Sequence, residues 1–117
     1  MTISILLPTR KRISLLKKSV ASLIDNAKNP EKLQFLFGVD DDDPGTLEHL
    51  KREKYPNKTV LKFKRAGYEN LHVYNNSLAA YAQGTWIMFF NDDAIMKTKH
   101  WDSKIEEVKT FSVLRVQ

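Results

Sequence analysis

What most constrains this chain is a change of period that repeats along it. Residues 3–7, ISILL, form a short apolar run rich in β-branched side chains, the composition of a buried strand, stopped by Pro8. From Ile13 the apolar residues fall instead at helical spacing, with Ile13, Leu16, Val20, Leu23 and Ile24 on one face and Lys17, Lys18, Ser22 and Asp25 opposite. Asn and Pro in DNAKNPEK end that helix. LQFLFGVD (33–40) reads as a second buried strand, cut off by the turn-forming DDDDPGT. TLEHLKREK (46–54) predicts a short polar helix with Thr46 as its N-cap, and TVLKFKR (59–65) alternates like a strand with one wetter face. VYNNSLAAYAQ (73–83) predicts a tightly packed helix ended by Gly84. TWIMFF (85–90) is a fourth strand, KHWDSKIEEVKTF (99–111) a short helix, and SVLRV the start of another strand.

The order is β-α-β-α-β-α-β with short connections and continuous apolar strands. It predicts an α/β fold: an open, mostly parallel sheet covered by helices on both faces. A length of 117 residues suits one domain, 1–117. The absence of cysteine excludes a disulfide framework and thiolate metal sites, and fits a reducing compartment. No apolar run approaches the ~20 residues that span a bilayer. The opening MTISILLPTRKR places its apolar part before its basic part, the reverse of a signal peptide. A cytoplasmic protein is the expectation.

In an open parallel sheet, ligands sit beyond the carboxyl ends of the strands, near the point where strand order reverses. Three polar stretches follow strands here: PTRKR (8–12), DDDDP (40–44) and NDD (91–93). The first is basic and suits phosphate. The other two are acidic and suit a hard cation, or a base and ribose, because Mg²⁺ and Mn²⁺ take carboxylate oxygens and often bridge to substrate phosphates. Nineteen Lys plus Arg against fourteen Asp plus Glu give a net charge of +5, which favours anionic partners. No glycine-rich phosphate loop is present, so neither a dinucleotide fingerprint nor a P-loop is supported. From the triplet alone, Asp92 and Asp93 fit a strand-end turn better than a cation site.

Three segments together resemble the N-terminal, nucleotide-binding half of a GT-A-fold glycosyltransferase, most like glycosyltransferase family 2. ISILLPTRKR is similar to that family's opening strand and P-T-x-x-R turn. FLFGVDDDDPGT is similar to its second strand and the turn that follows. NNSLAAYAQGTWIMFFNDDAIMKTKHW is similar to its long stretch R-N-x-G-x-x-x-A-x-G ending in D-x-D with a following Trp. The resemblance implies a site for a nucleoside-diphosphate sugar of UDP or dTDP type. Pro8, Thr9, Arg10 and Arg12 would lie along the nucleoside and phosphates, and Asp40 would accept a hydrogen bond from the base. Asn91 stands at the first position of D-x-D near the ribose, Asp92 between, and Asp93 at the position that holds Mn²⁺ or Mg²⁺. Asn91 replaces an Asp, and Asn75 and Leu78 stand where Arg and Gly are usual.

In the resembled family, a second half carries the acceptor site and the carboxylate that deprotonates the acceptor. Residues 94–117 offer no counterpart, so the acceptor-binding half is expected to be absent and the catalytic residue and the acceptor are unassigned. The leading reading is therefore the donor-binding part of a metal-dependent glycosyltransferase. The alternative is a degenerate, non-catalytic module that binds nucleotide weakly or dimerises, with itself or a partner chain, through an unpaired sheet edge. A nucleic-acid surface would need aromatic residues interleaved on a basic face, and none is patterned here. Asp42 and Asp43 read as a solvated turn, His49, His72 and His100 as surface residues, and Trp86, Phe89 and Trp101 as core.

Overall fold

The computed structural model describes residues 2–107. Strands β1 (Ile3–Thr9), β2 (Leu33–Asp40), β3 (Lys58–Phe63) and β4 (Trp86–Phe89) form one sheet in the order β3-β2-β1-β4, and every pairing is parallel. Helices α1 (Ile13–Asp25), α2 (Pro44–Arg52) and α3 (Leu71–Ala79) connect them, and α4 (Trp101–Glu106) follows β4. The β-α alternation expected from the sequence is the alternation observed. The SVLRV segment lies outside the described residues.

The pleat sorts the apolar side chains into two unequal layers. Ile3, Ile5 and Leu7 of β1 and Phe35, Phe37 and Val39 of β2 join Leu16, Val20 and Leu23 of α1, Leu50 of α2, and Trp101 and Ile105 of α4 in the larger core. On the other face, Leu6 and Leu36 meet Leu78 of α3 in a smaller cluster. Both central strands are buried on both sides, which is why their sequences run mostly apolar; the buried exceptions Ser4 and Gln34 satisfy each other, Ser4 Oγ donating to Gln34 Oε1 at 2.6 Å. Each such side chain contributes about 1.5–3 kcal/mol on burial, so the α1 face holds most of the fold's stability.

Several boundaries depart from expectation for identifiable reasons. Pro8 does not stop β1: it lies past the last β1–β4 pair, Leu6↔Phe89, and the strand continues against β2 to Thr9. Thr46 is not the cap of α2. Asp43 is, its carboxylate accepting from the Thr46 N–H at 3.4 Å with Pro44 at the first helical position. Helix α3 begins at Leu71 and ends at Ala79, so Gly84 does not terminate it. Gly84 instead lies against β1, where a Cβ would come within 2.7 Å of the Ser4 backbone nitrogen. Its N–H donates to Ser4 Oγ at 2.8 Å. Trp101 is core as expected, its indole N–H donating to the Leu23 carbonyl at 2.9 Å. Phe89 is not: among the described residues β4 is the outermost strand of the sheet on its side, and Ile87 and Phe89 are 49% and 64% exposed. His49 is also no surface residue, since its ring packs edge-on against Tyr55.

Candidate functional site

β1, β2 and β3 step across the sheet in one direction, and β4 returns to the far side of β1. Strand order therefore reverses between β1 and β4, the position where open α/β sheets bind ligands. A cleft of about 540 Å³ opens there, at the carboxyl edge, and is lined by Pro8, Thr9, Arg10, Arg12, Asp40, Asn91, Asp92 and Asp93. All the residues singled out from the sequence are thus brought to one place. The cleft is completed by Asn75 on α3, which stands where the resembled family has Arg, and by residues that sequence reading missed: Gly38 on β2, Arg65 and Gly67 after β3, Leu71 and Tyr74 on α3, and Phe89 and Phe90.

The turn after β1 is held open by Asp43. Lys11 adopts a left-handed conformation (φ 50°), which costs a non-glycine residue about 1–2 kcal/mol. Its N–H donates to Asp43 Oδ2 at 2.7 Å, offsetting that cost. Asp43 therefore caps α2 and fixes the turn that presents Arg10 and Arg12, and it is buried while doing so. The expectation of a solvated turn is wrong for this residue. Asp42 is exposed but engaged: both its oxygens accept from the Arg10 guanidinium. That hydrogen bonding holds the Asp42 carboxyl below the ordinary carboxylate range and raises Arg10 further above its own.

Asp40, at the end of β2, is 4% exposed. Its Oδ2 accepts from Arg10 Nη1 at 2.9 Å, and its Oδ1 accepts from the Tyr74 hydroxyl at 2.5 Å. Arg10 is accordingly committed to Asp40 and Asp42 and does not extend along the cleft by itself. At the end of β4, Asp92 is buried and accepts from Thr9 Oγ1 at 2.9 Å and from Arg12 Nη1 at 3.5 Å. Asp93 differs: its side chain is 55% exposed, with Arg12 Nη1 3.8 Å away. Asn91 is exposed beside it, its backbone carbonyl accepting from Ser19 Oγ of α1 at 3.2 Å.

Among the described residues, no group of three or more His, Cys, Asp or Glu side chains could hold a metal ion by itself. Asp93 and Asn91, two residues apart at the end of β4, contribute one largely exposed carboxylate and one exposed amide. Hard divalent cations are commonly bound through one or two carboxylates and substrate phosphates.

The chain matches the family model described as Glycosyl transferase family 2 over residues 4–111. It belongs to that family. Among solved structures, this family 2 chain is similar to S. aureus TarS 1-349, with a TM-score of 0.68 at 17% identity, over 91% of this chain and 31% of that one. The same TarS fragment in complex with UDP gives 0.68 at 15% identity, over 91% and 31%. Its complex with UDP-GlcNAc gives 0.64 at 17%, over 91% and 30%. The family 2 chain thus spans 31% of the TarS 1-349 chain. At these identities the likeness is one of fold, and the fold is GT-A. No curated protein matches the chain. Among the described residues, no helix is long and apolar enough to cross a membrane.

Proposed function

We propose that the cleft binds a nucleoside-diphosphate sugar of uridine or thymidine type, and that the chain is the donor-binding part of a glycosyltransferase acting on a separate acceptor. The observation that carries this reading is the convergence of Thr9, Arg10, Arg12, Asp40 and Asn91 to Asp93 on one cleft at the strand-order reversal of a family 2 chain. The TarS structures contain UDP and UDP-GlcNAc in a protein of the same fold.

Each part of the cleft has work suited to its chemistry. Asp40 is acceptor-only when ionised and receives the base's ring N–H. Arg12, between the basic turn and the β4 end, balances the charge of the diphosphate. Asp92 is occupied with Thr9 and Arg12 and sets the shape of the strand end. Asp93 and Asn91 would hold Mn²⁺ or Mg²⁺ together with the diphosphate oxygens. Once bound, such a cation supplies Lewis-acid stabilisation of the charge on the leaving diphosphate. With one open carboxylate, the site should take up the cation only as part of a nucleotide complex. A chain that binds the nucleotide without transferring sugar would use the same cleft as a binding module, and binding without turnover would identify that case.

Calorimetric titration tests the reading. UDP should bind in the presence of Mn²⁺ and far more weakly without it, and Mn²⁺ alone should give no binding heat. Equal UDP affinity with and without Mn²⁺ would remove the cation from the site. No UDP binding under either condition would remove the nucleotide.

A further inference from the structure

Tyr74 lies in the first turns of α3, 34 positions along the chain from Asp40, yet their side chains meet. Its hydroxyl has one proton, and that proton is directed at Asp40 Oδ1 at 2.5 Å. The Tyr74 hydroxyl oxygen in turn accepts from the Ala66 N–H at 2.8 Å. The ring is 6% exposed and packs edge-on against Phe63 of β3, with centroids 4.9 Å apart. Burial and the hydrogen bond to Asp40 both hold the phenol above its ordinary range, so it remains a donor. With Arg10 on Oδ2, each oxygen of Asp40 has one fixed partner. A carboxylate has about four lone-pair positions, so two remain, and both accept.

We infer that Tyr74 is a positioning residue for base selection: it clamps Asp40 as an oriented, acceptor-only carboxylate that favours a base carrying a ring imide N–H, as uracil and thymine do. The inference rests on the nucleotide-binding reading of the cleft and deepens it. A uracil N3–H meets the free lone pair. Cytosine presents an unprotonated ring nitrogen at that position, so acceptor faces acceptor, and a buried polar group without a partner is what makes such discrimination large. The clamp has a second end. Through Ala66, the hydroxyl fixes the loop that brings Arg65 and Gly67 to the same cleft, where Gly67 adopts φ 80° and Asn70 closes a turn onto its carbonyl at 3.1 Å. One oxygen atom therefore ties the base-reading carboxylate to the far wall of the site.

The test is calorimetry with UDP and CDP, each in Mn²⁺ buffer, on the 117-residue chain and its Tyr74→Phe, Asp40→Asn and double variants. Tyr74→Phe keeps the ring against Phe63 and removes only the hydroxyl. The wild-type chain should prefer UDP by about a hundredfold. Tyr74→Phe should weaken UDP by about tenfold and CDP by about twofold at most, shrinking the preference. In the Asp40→Asn background, Tyr74→Phe should weaken UDP by about twofold at most, the small share owed to the Ala66 end, because base selection acts through the carboxylate. Equal losses for UDP and CDP, additivity with Asp40→Asn, or a wild-type chain that binds both nucleotides alike would each overturn the inference. Binding of neither nucleotide by the wild-type chain would overturn the donor-site reading itself, an outcome distinct from those in which both bind.

Discussion

The two acidic strand ends of this protein carry similar residues in different states of engagement. At the end of β2, Asp40, Asp42 and Asp43 already have partners: Tyr74 and Arg10 for Asp40, Arg10 for Asp42, the amides of Lys11 and Thr46 for Asp43. At the end of β4, Asp92 is similarly held, by Thr9 and Arg12, while Asp93 stands largely in solvent. Carboxylates with fixed partners shape a site and support the fold. A carboxylate left open can exchange its surroundings for a cation and a phosphate. On the proposed reading of the cleft, the comparison divides it into a rigid wall that would read the base and an open end that would take the diphosphate.

The comparison breaks most readily at Asp93. Asp93→Ala should lower UDP affinity in Mn²⁺ by about a hundredfold, while its unfolding midpoint stays close to wild type, as expected of an exposed position. A variant that loses stability along with affinity would mean that Asp93 is as structural as its neighbours.

At the other end, the expected effect is on the fold. Asp43→Ala removes a helix cap and leaves the strained Lys11 turn without its acceptor. The cost should be about 2 kcal/mol in urea unfolding, with a matching loss of order in the 10–12 turn. Unchanged stability would show that the β2 end is not the rigid wall described here.

Asp42→Asn should do least. The Arg10 pair holds the Asp42 carboxyl below its ordinary value, so its contribution is present above the unfolded-state value and is lost as pH falls through the lowered one. The pair is in solvent, so a small loss of stability at pH 7 should vanish when both proteins are compared in strong acid. A difference that persists at low pH would assign Asp42 a role other than its charge.

How much of this was legible in the sequence varies with how local the cause is. β2 was readable to the residue because a run that is apolar from Phe35 to Val39 is bounded by turn residues on both sides. The three strand-end motifs were readable because parallel α/β topology sends them all to one edge. The ranking within Asp40 to Asp43 was not, since four identical side chains differ only in where the backbone points them. Asp43 turned inward to two amides that no local pattern reveals. Phe89 misled for a related reason: WIMF is apolar throughout, but a strand covered on one face buries only alternate residues. Tyr74 and Arg65 reach the site across long sequence separations. Tyr74 had one signal available, its i, i+4 spacing with Leu78 in the first turns of a helix whose start faces the carboxyl edge. The polar Asn and Ser residues around it concealed where that helix began.

The most direct test of the central claim, that nucleotide binds at the carboxyl edge between β1 and β4, is amide chemical-shift mapping as UDP is titrated with a diamagnetic divalent cation such as Mg²⁺. The account predicts perturbations gathered at residues 8–12, 38–40, 65–67, 74–75 and 91–93, with 51–64, a basic stretch that holds Lys51, Arg52, Lys54, Lys58, Lys62 and Lys64 and does not line the cleft, unaffected. Shifts centred on that basic stretch, or none at saturating UDP, would contradict it.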